Sequence, residues 1–222
     1  MPEWWTYSLS DFLLFSARTY YRMIERHNAA VWPLQMVTLG LGLGIAALLR
    51  RPGTRQGRLI SLTLAVLWSW VAAGFVWARY AAINWAAVYL GWLLVIEVLL
   101  LVYAGLRGRL AFRWRRDAAG SLGIALLLTA VVLYPMLAPA QGRGWRQAEV
   151  FGIAPDPTVV ATVGLLLLSE SGPQWSLLVT PVLWCLISGV TLLALGSLEG
   201  WVLLPAALLS VGAAGLRGRP RP

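Results

Sequence analysis

The sequence contains no lysine, one histidine and one cysteine in 222 residues. Each scarcity closes a class of function. Without a lysine amine there is no Schiff-base chemistry, and so no retinal-binding seven-helix protein. The single His27 excludes bis-histidine haem ligation and multi-histidine metal sites within the chain. Cys185 is alone, so no intramolecular disulfide forms. Charge is scarce too. Only 12% of residues are charged, where a soluble domain carries about twice that fraction. No nucleotide-binding glycine loop, zinc-protease helix or serine elbow is present. No catalytic residue, metal or cofactor is therefore expected.

What the chain has in excess is apolar surface. Hydrophobic residues make up 59%, and the mean hydropathy is +0.71. Such a chain needs lipid to face. The net charge of +9 raises nucleic acid as a partner, but the arginines argue otherwise. They sit in short runs between apolar stretches, as Arg50, Arg51, Arg55, Arg58 and then Arg107, Arg109, Arg113, Arg115, Arg116. That is the pattern of cytoplasmic loops beside acidic headgroups. The expected partner is the lipid bilayer, with a second copy or another membrane protein as a further candidate, and no nucleic acid.

The fold class expected is an all-α, polytopic transmembrane bundle of seven spanning helices behind an amphipathic interfacial segment. Residues 1–28 form that segment. They are too polar and aromatic for a signal peptide, so the N-terminus is expected to be retained. Over 9–27, Leu9, Leu13, Ser16, Tyr20, Ile24 and His27 share one helical face and Asp11, Arg18, Arg22 and Glu25 the other. Such a helix lies in the headgroup layer or across the bundle mouth. Trp4, Trp5 and Tyr7 before it suit the interfacial aromatic belt.

A hydrocarbon core of about 30 Å takes about 20 helical residues. Residues 29–222 supply seven candidates, at 29–49, 59–79, 85–106, 118–137, 157–170, 175–195 and 199–216. The fifth is short because Pro155 and Pro157 bar a helix from upstream. Asp156 as N-cap with Pro157 at the first helical position is its expected start. With the N-terminus outside, 12 arginines fall inside and six outside: Arg18, Arg22, Arg26, Arg79, Arg143 and Arg146. Were the fifth segment re-entrant, the counts would be nine and nine. Seven spans, with a cytoplasmic C-terminus, satisfy the positive-inside rule better. Gly40 with Gly44, Gly120 with Gly123, and Gly212 with Gly215 are candidate points of close helix contact.

Two places carry polar chemistry. Glu97 sits mid-span among Leu93, Leu94, Leu100 and Leu101. A carboxylate there costs several kcal/mol unless paired, protonated or hydrated. Proton transfer, cation binding, a stretched pair with Arg79, or a protonated carboxyl bonded to Ser69 or Thr63 would each satisfy it. The second is Phe151–Thr158, FGIAPDPT. If its helix start is sunk below the surface, the amides make an anion or substrate site near which Arg143 and Arg146 gather anions. If not, Asp156 is a plain surface cap. Of the tryptophans, Trp68, Trp70, Trp77, Trp92 and Trp184 lie deep and either pack or line a ligand pocket.

Two stretches carry a resemblance. One is Trp4-Trp5-Thr6-Tyr7, Asp11-Phe12-Leu13, Phe15-Ser16, Arg18, Tyr20-Tyr21-Arg22, Asn28-Ala29 and Trp32-Pro33. The other is Phe151-Gly152, Pro155-Asp156-Pro157-Thr158 and Gly164-Leu165-Leu166. Together they resemble an uncharacterised family of bacterial integral membrane proteins of about this length. The resemblance implies a multi-pass protein of the bacterial cytoplasmic membrane and no activity. Members tend to carry cysteine where this chain has Asp156, so any redox or metal role of that cysteine is lost or altered here. The two functional readings are movement or sensing of a small solute or ion, and a non-catalytic membrane scaffold or subunit.

Overall fold

A computed structural model of the chain describes residues 13–172 and 174–217. The expected helix start at residue 9, the Trp4-Trp5-Tyr7 belt and the tail beyond Arg217 lie outside them. Helix α1 runs Ala17–Ala30, capped by the Ser16 hydroxyl, which accepts from the Thr19 amide at 3.3 Å. It buries Tyr20, Met23, Ile24, His27 and Asn28, one face of the expected amphipathic helix.

Helix α2 spans Leu34–Leu48 at 89° to α1. The segment expected at 29–49 is thus broken. Residues 29 and 30 close α1, and Pro33 in the turn has no amide to continue a helix. Helix α3, Thr54–Trp70, continues through a π-helical stretch, Val71–Trp77, so that Thr54–Ala82 forms one long helical run. Its first turn carries Arg55 and Arg58, which made it read as loop. Helix α4 is Ala87–Leu106. Helix α5, Ala118–Leu128, is extended by π and 3-10 turns into the short α6, Leu137–Ala140. Helices α7, α8 and α9 are Pro155–Leu167, Trp175–Ala194 and Gly200–Arg217.

By length and composition, five runs suffice to cross a membrane: Thr54–Ala82, Ala87–Leu106, Ala118–Ala140, α8 and α9. The bent α1–α2 pair passes the same test only when its two helices are taken as one broken span, which would make a sixth. Helix α7, at 13 residues and so about 20 Å, is too short by that measure. Its surroundings explain why. Every residue from Ala148 to Ser169 is buried. The chain enters the bundle as a loop and continues as a helix. A helix apolar on all sides must be wrapped by others, and irregular backbone at such depth persists only inside protein. Helices α5, α8 and α9 pack on α7. At the closest point, Gly123 of α5 faces Gly164 of α7. A Cβ on Gly164 would stand 2.7 Å from the Gly123 carbonyl oxygen. Gly120 packs against Arg115 in its own preceding loop, and Gly40, Gly44, Gly212 and Gly215 face open space. Of the expected glycine contacts only Gly123 joins two helices.

Hydrogen bonds sort the helix ends into two layers. At the lower end, the Gln56 side chain donates to Leu48 and Phe112 carbonyls at 3.3 and 3.1 Å. The Arg113 amide donates to Leu168 at 3.0 Å and that of Glu170 to Ala111 at 2.8 Å. The Arg217 guanidinium donates to the Leu167 and Ser169 carbonyls, a cationic cap on the end of α7. At the upper end, Asn28 donates to the Arg146 and Ala148 carbonyls, both at 2.8 Å. There too Gln141 donates to Glu199 at 2.8 Å. Helix α7 begins inside the bundle, beside Trp184 and Ser188 of α8, and ends in the lower layer.

Candidate functional site

The start of α7 differs from the sequence expectation. Ala154 occupies the cap position and Pro155 the first helical position. Asp156 lies inside the first turn, fully buried. It is neither a plain surface cap nor a cap at all. Proline suits a first helical position because its missing amide has no intrahelical partner there. Pro155 and Pro157 remove two of the four end amides that would greet an anion. The Gly152 amide is taken at 2.8 Å by the Thr158 hydroxyl, which itself donates to Ala154 at 2.7 Å. Gly152 has φ +74°, a conformation that suits glycine, and a Cβ there would press on Leu67 and Thr38. FGIAPDPT is therefore a buried loop-to-helix joint, closed to an anion.

What the joint presents is acid. Asp156 Oδ1 accepts from Trp184 Nε1 at 2.6 Å and from the Ser188 hydroxyl at 2.8 Å, both on α8. Glu149 neighbours it, close enough for the two charges to repel, and no hydrogen bond joins the two carboxyls among the described residues. Glu149 Oε1 accepts from the Tyr20 hydroxyl of α1 at 3.0 Å, and Oε2 has no donor among the described residues. Burial, then the nearby Asp156 and Glu199 carboxylates, push Glu149 well above the usual carboxylate range. Two neighbouring carboxyls in low dielectric disfavour being ionised together. A cavity of about 10 Å³ borders Trp184 and Ser188 and is walled by Tyr20, Tyr80 and Thr191. It has room for about one water molecule.

Arg143 and Arg146 do not reach the α7 start together. Arg143 pairs with Glu199 in the loop before α9, and its guanidinium lies 3.9 Å from the Tyr21 ring centre. Burial works against ionisation of Glu199. Hydrogen bonds from Ser197 and Gln141, and the Arg143 charge, outweigh it and hold Glu199 below the usual range. Arg146 is exposed. So is Arg79, and among the described residues it forms no ion pair. The stretched Arg79–Glu97 pair is not made.

Glu97 is fully buried on α4, and neither carboxyl oxygen has a hydrogen-bond partner among the described residues. Thr180 of α8 neighbours it. Ser69 instead donates to Ala65 at 2.8 Å. The expected bond to Ser69 or Thr63 is absent. None of the clefts on the upper face or beside Gly53 is lined by Glu97.

Of the deep tryptophans, Trp184 borders the small cavity of about 10 Å³, and the others pack or face outward. Trp68 donates to Thr162 of α7 at 3.1 Å, and Trp77 to the Val88 carbonyl at 3.1 Å, while Trp70 and Trp92 are exposed. His27 is packed edge-on against Phe75 at 5.2 Å, and burial with the nearby Arg79 charge lowers its pKa to about 4. Cys185 is fully buried. Among the described residues no group of three or more His, Cys, Asp or Glu could hold a metal.

Glu149, Glu199 and Ser188 do not stand out in the sequence, and Tyr20 stands out there only as a helix-face and motif residue. Glu149 sits three residues after Arg146 in what reads as a solvated loop. The available signal was the apolar run Val150–Ala154 behind it, which has no reason to sit in water.

Fold and site together define an all-helical bundle around a wholly buried helix, with a carboxyl pair at that helix's first turn. The chain belongs to a family of unknown function, DUF6064, which it matches over residues 17–218. The match includes Tyr20, Glu149, Asp156, Trp184 and Glu199. No curated protein and no solved structure matches the chain.

Proposed function

We propose that the chain is a seven-crossing protein of the bacterial cytoplasmic membrane, N-terminus outside, that binds a proton at the Glu149–Asp156 pair and responds to it. Its activity is sensing, without catalysis or an open conduit. One observation carries this reading: the pair joins three elements, through Tyr20 on α1, the α7 start, and Trp184 and Ser188 on α8. Loss of that proton sets two carboxylates against each other. It therefore loosens α1 from the bundle mouth. The wholly buried α7 favours response over passage. The buried loop 148–154 followed by α7, which ends in the lower layer, is the path offered for the seventh crossing, which keeps most arginines inside.

A second reading, a subunit docked on a partner, is favoured by α2, whose Gly40 and Gly44 face open space.

The sensing reading is tested by infrared titration of reconstituted protein. A carbonyl band of protonated carboxylic acid should vanish as pH rises, and Glu149→Gln should remove it. Glu97→Gln should leave that band in place. The sign for stability follows. Glu149 has a folded pKa above its ordinary 4.5, so its contribution is full below 4.5 and is lost as pH rises through the folded value. Glu149→Gln, which cannot ionise, should flatten that alkaline loss. Identical spectra for wild type and Glu149→Gln at every pH would end the proton-sensing reading.

A further inference from the structure

The upper face carries a second site, separate from the carboxyl pair. Arg18, Arg22 and Arg26 recur at four-residue spacing along the exposed side of α1, which stacks them on one face. Arg143 and Arg146 of the 141–154 loop lie opposite. Together they wall a cleft of about 560 Å³ in which Glu25 is the one acid. Glu25 already accepts from Gln147 at 3.3 Å. Among the described residues the ion pairs use Arg113, Arg115 and Arg143. Arg18, Arg22, Arg26 and Arg146 form no ion pair among the described residues.

This basin opens directly onto an apolar groove. The groove, of about 680 Å³, shares Ala29 and Arg146 with the basin and is walled by Trp32, Met36, Leu39, Pro135, Trp145 and Val150, among others. Trp32 and Trp145 are 64% and 66% exposed at its mouth. Exposed tryptophans mark the lipid–water boundary. From Trp32 to Leu39 the groove descends about 10 Å along α2. The right-angle turn between α1 and α2 is what sets a cationic helix face directly above an apolar slot.

A free anion would use the basin alone, and an uncharged chain the groove alone. Their continuity matches a molecule with both parts. We infer that this face binds an anionic phospholipid, its phosphate headgroup among Arg18, Arg22, Arg26 and Arg146 and one acyl chain between Trp32 and Trp145. The inference rests on the membrane placement but not on the carboxyl pair.

Native mass spectrometry of the detergent-purified chain tests it. The ligands are phosphatidylglycerol, phosphatidylcholine with the same acyl chains, and glycerol phosphate. Phosphatidylglycerol should bind in preference to phosphatidylcholine. The variant Arg18→Gln/Arg22→Gln/Arg26→Gln should lose roughly a hundredfold in phosphatidylglycerol affinity, at about fivefold per arginine, with phosphatidylcholine unchanged. Met36→Trp, at a residue 56% exposed in the groove, should weaken both lipids. Glycerol phosphate should not compete. The inference fails if the triple variant keeps its preference, which would leave the groove to residues 1–12 or to no ligand. It fails equally if glycerol phosphate displaces the lipid at equal concentration, or if Met36→Trp binds lipid as wild type does. A chain that stays soluble without detergent would instead overturn the membrane placement.

Discussion

Gly164→Ala should lower stability by about 3 kcal/mol or more, and Gly164→Leu should yield no monodisperse protein. The added Cβ would stand 2.7 Å from the Gly123 carbonyl oxygen and 3.0 Å from the Leu127 amide nitrogen. Both are backbone atoms of α5, so no rotamer change relieves the overlap. Overpacking usually costs about 1–3 kcal/mol where side chains give way. Here helices α5 and α7 must separate, and α7 has no exposed face to retreat to. Gly44→Ala makes the matched control. A Cβ at Gly44 meets nothing within 4 Å, and alanine is the better helix former by about 1 kcal/mol. Thermal unfolding in detergent should therefore show loss for one variant and none for the other. Equal effects would mean that α5 and α7 do not touch.

Arg143→Ala should cost about 3–5 kcal/mol, the range for removing one partner of a buried pair. The side chains of Arg143 and Glu199 are 13% and 4% exposed. Glu199 would keep its bonds from Gln141 and Ser197 but lose its countercharge. The Tyr21 ring would lose its cation, an interaction of about 0.5–2 kcal/mol. Arg143→Met combined with Glu199→Leu should recover most of the loss, since well-packed apolar replacements of buried pairs are often neutral. A double-mutant cycle reads the coupling directly. Arg146→Ala, exposed and unpaired, should stay within about 0.5 kcal/mol of wild type. If Arg143→Ala is equally mild, Glu199 is hydrated, and the 141–154 loop does not close the bundle mouth.

The helical class and most helix positions were legible because long apolar runs have few other uses. The expected segment 85–106 meets α4 at 87–106, and 175–195 meets α8 at 175–194. What failed did so for local reasons. Pro33 turned the expected first span into two helices at a right angle. Pro155 took the position assigned to Pro157, and Asp156 moved from a cap to a buried carboxyl bonded sideways to α8. A cap and a first-turn acid have the same sequence signature. Only the tertiary partners Trp184 and Ser188 separate them. Tertiary context also set the role of the glycines: Gly40 and Gly44 have ideal spacing for a helix contact but face away from the chain.

The site was half legible. Glu97 stood out because an acid in mid-span is costly, and Asp156 because it read as the cap of a helix start. Glu149 did not, because the nearby Arg143 and Arg146 made its loop read as solvated, and Glu199 did not, because it read as the boundary residue of the expected 199–216 span. The structure brings both stretches down onto the start of the buried helix. Asn28 and Tyr20 of the opening motif bind the 146–149 stretch, just before the second motif at Phe151.

The account turns on helix α7 passing from one face of the membrane to the other. Single cysteines at Gly142, Gly172 and Gly196, in a Cys185→Ala background, test this with an impermeant thiol reagent on intact cells. All three positions are at positive-φ turns with open space around the Cβ. Positions 142 and 196 should label from outside. Position 172, just beyond the α7 end, should label only after the cells are opened. Labelling of position 172 from outside would make α7 re-entrant and contradict the seven-crossing protein.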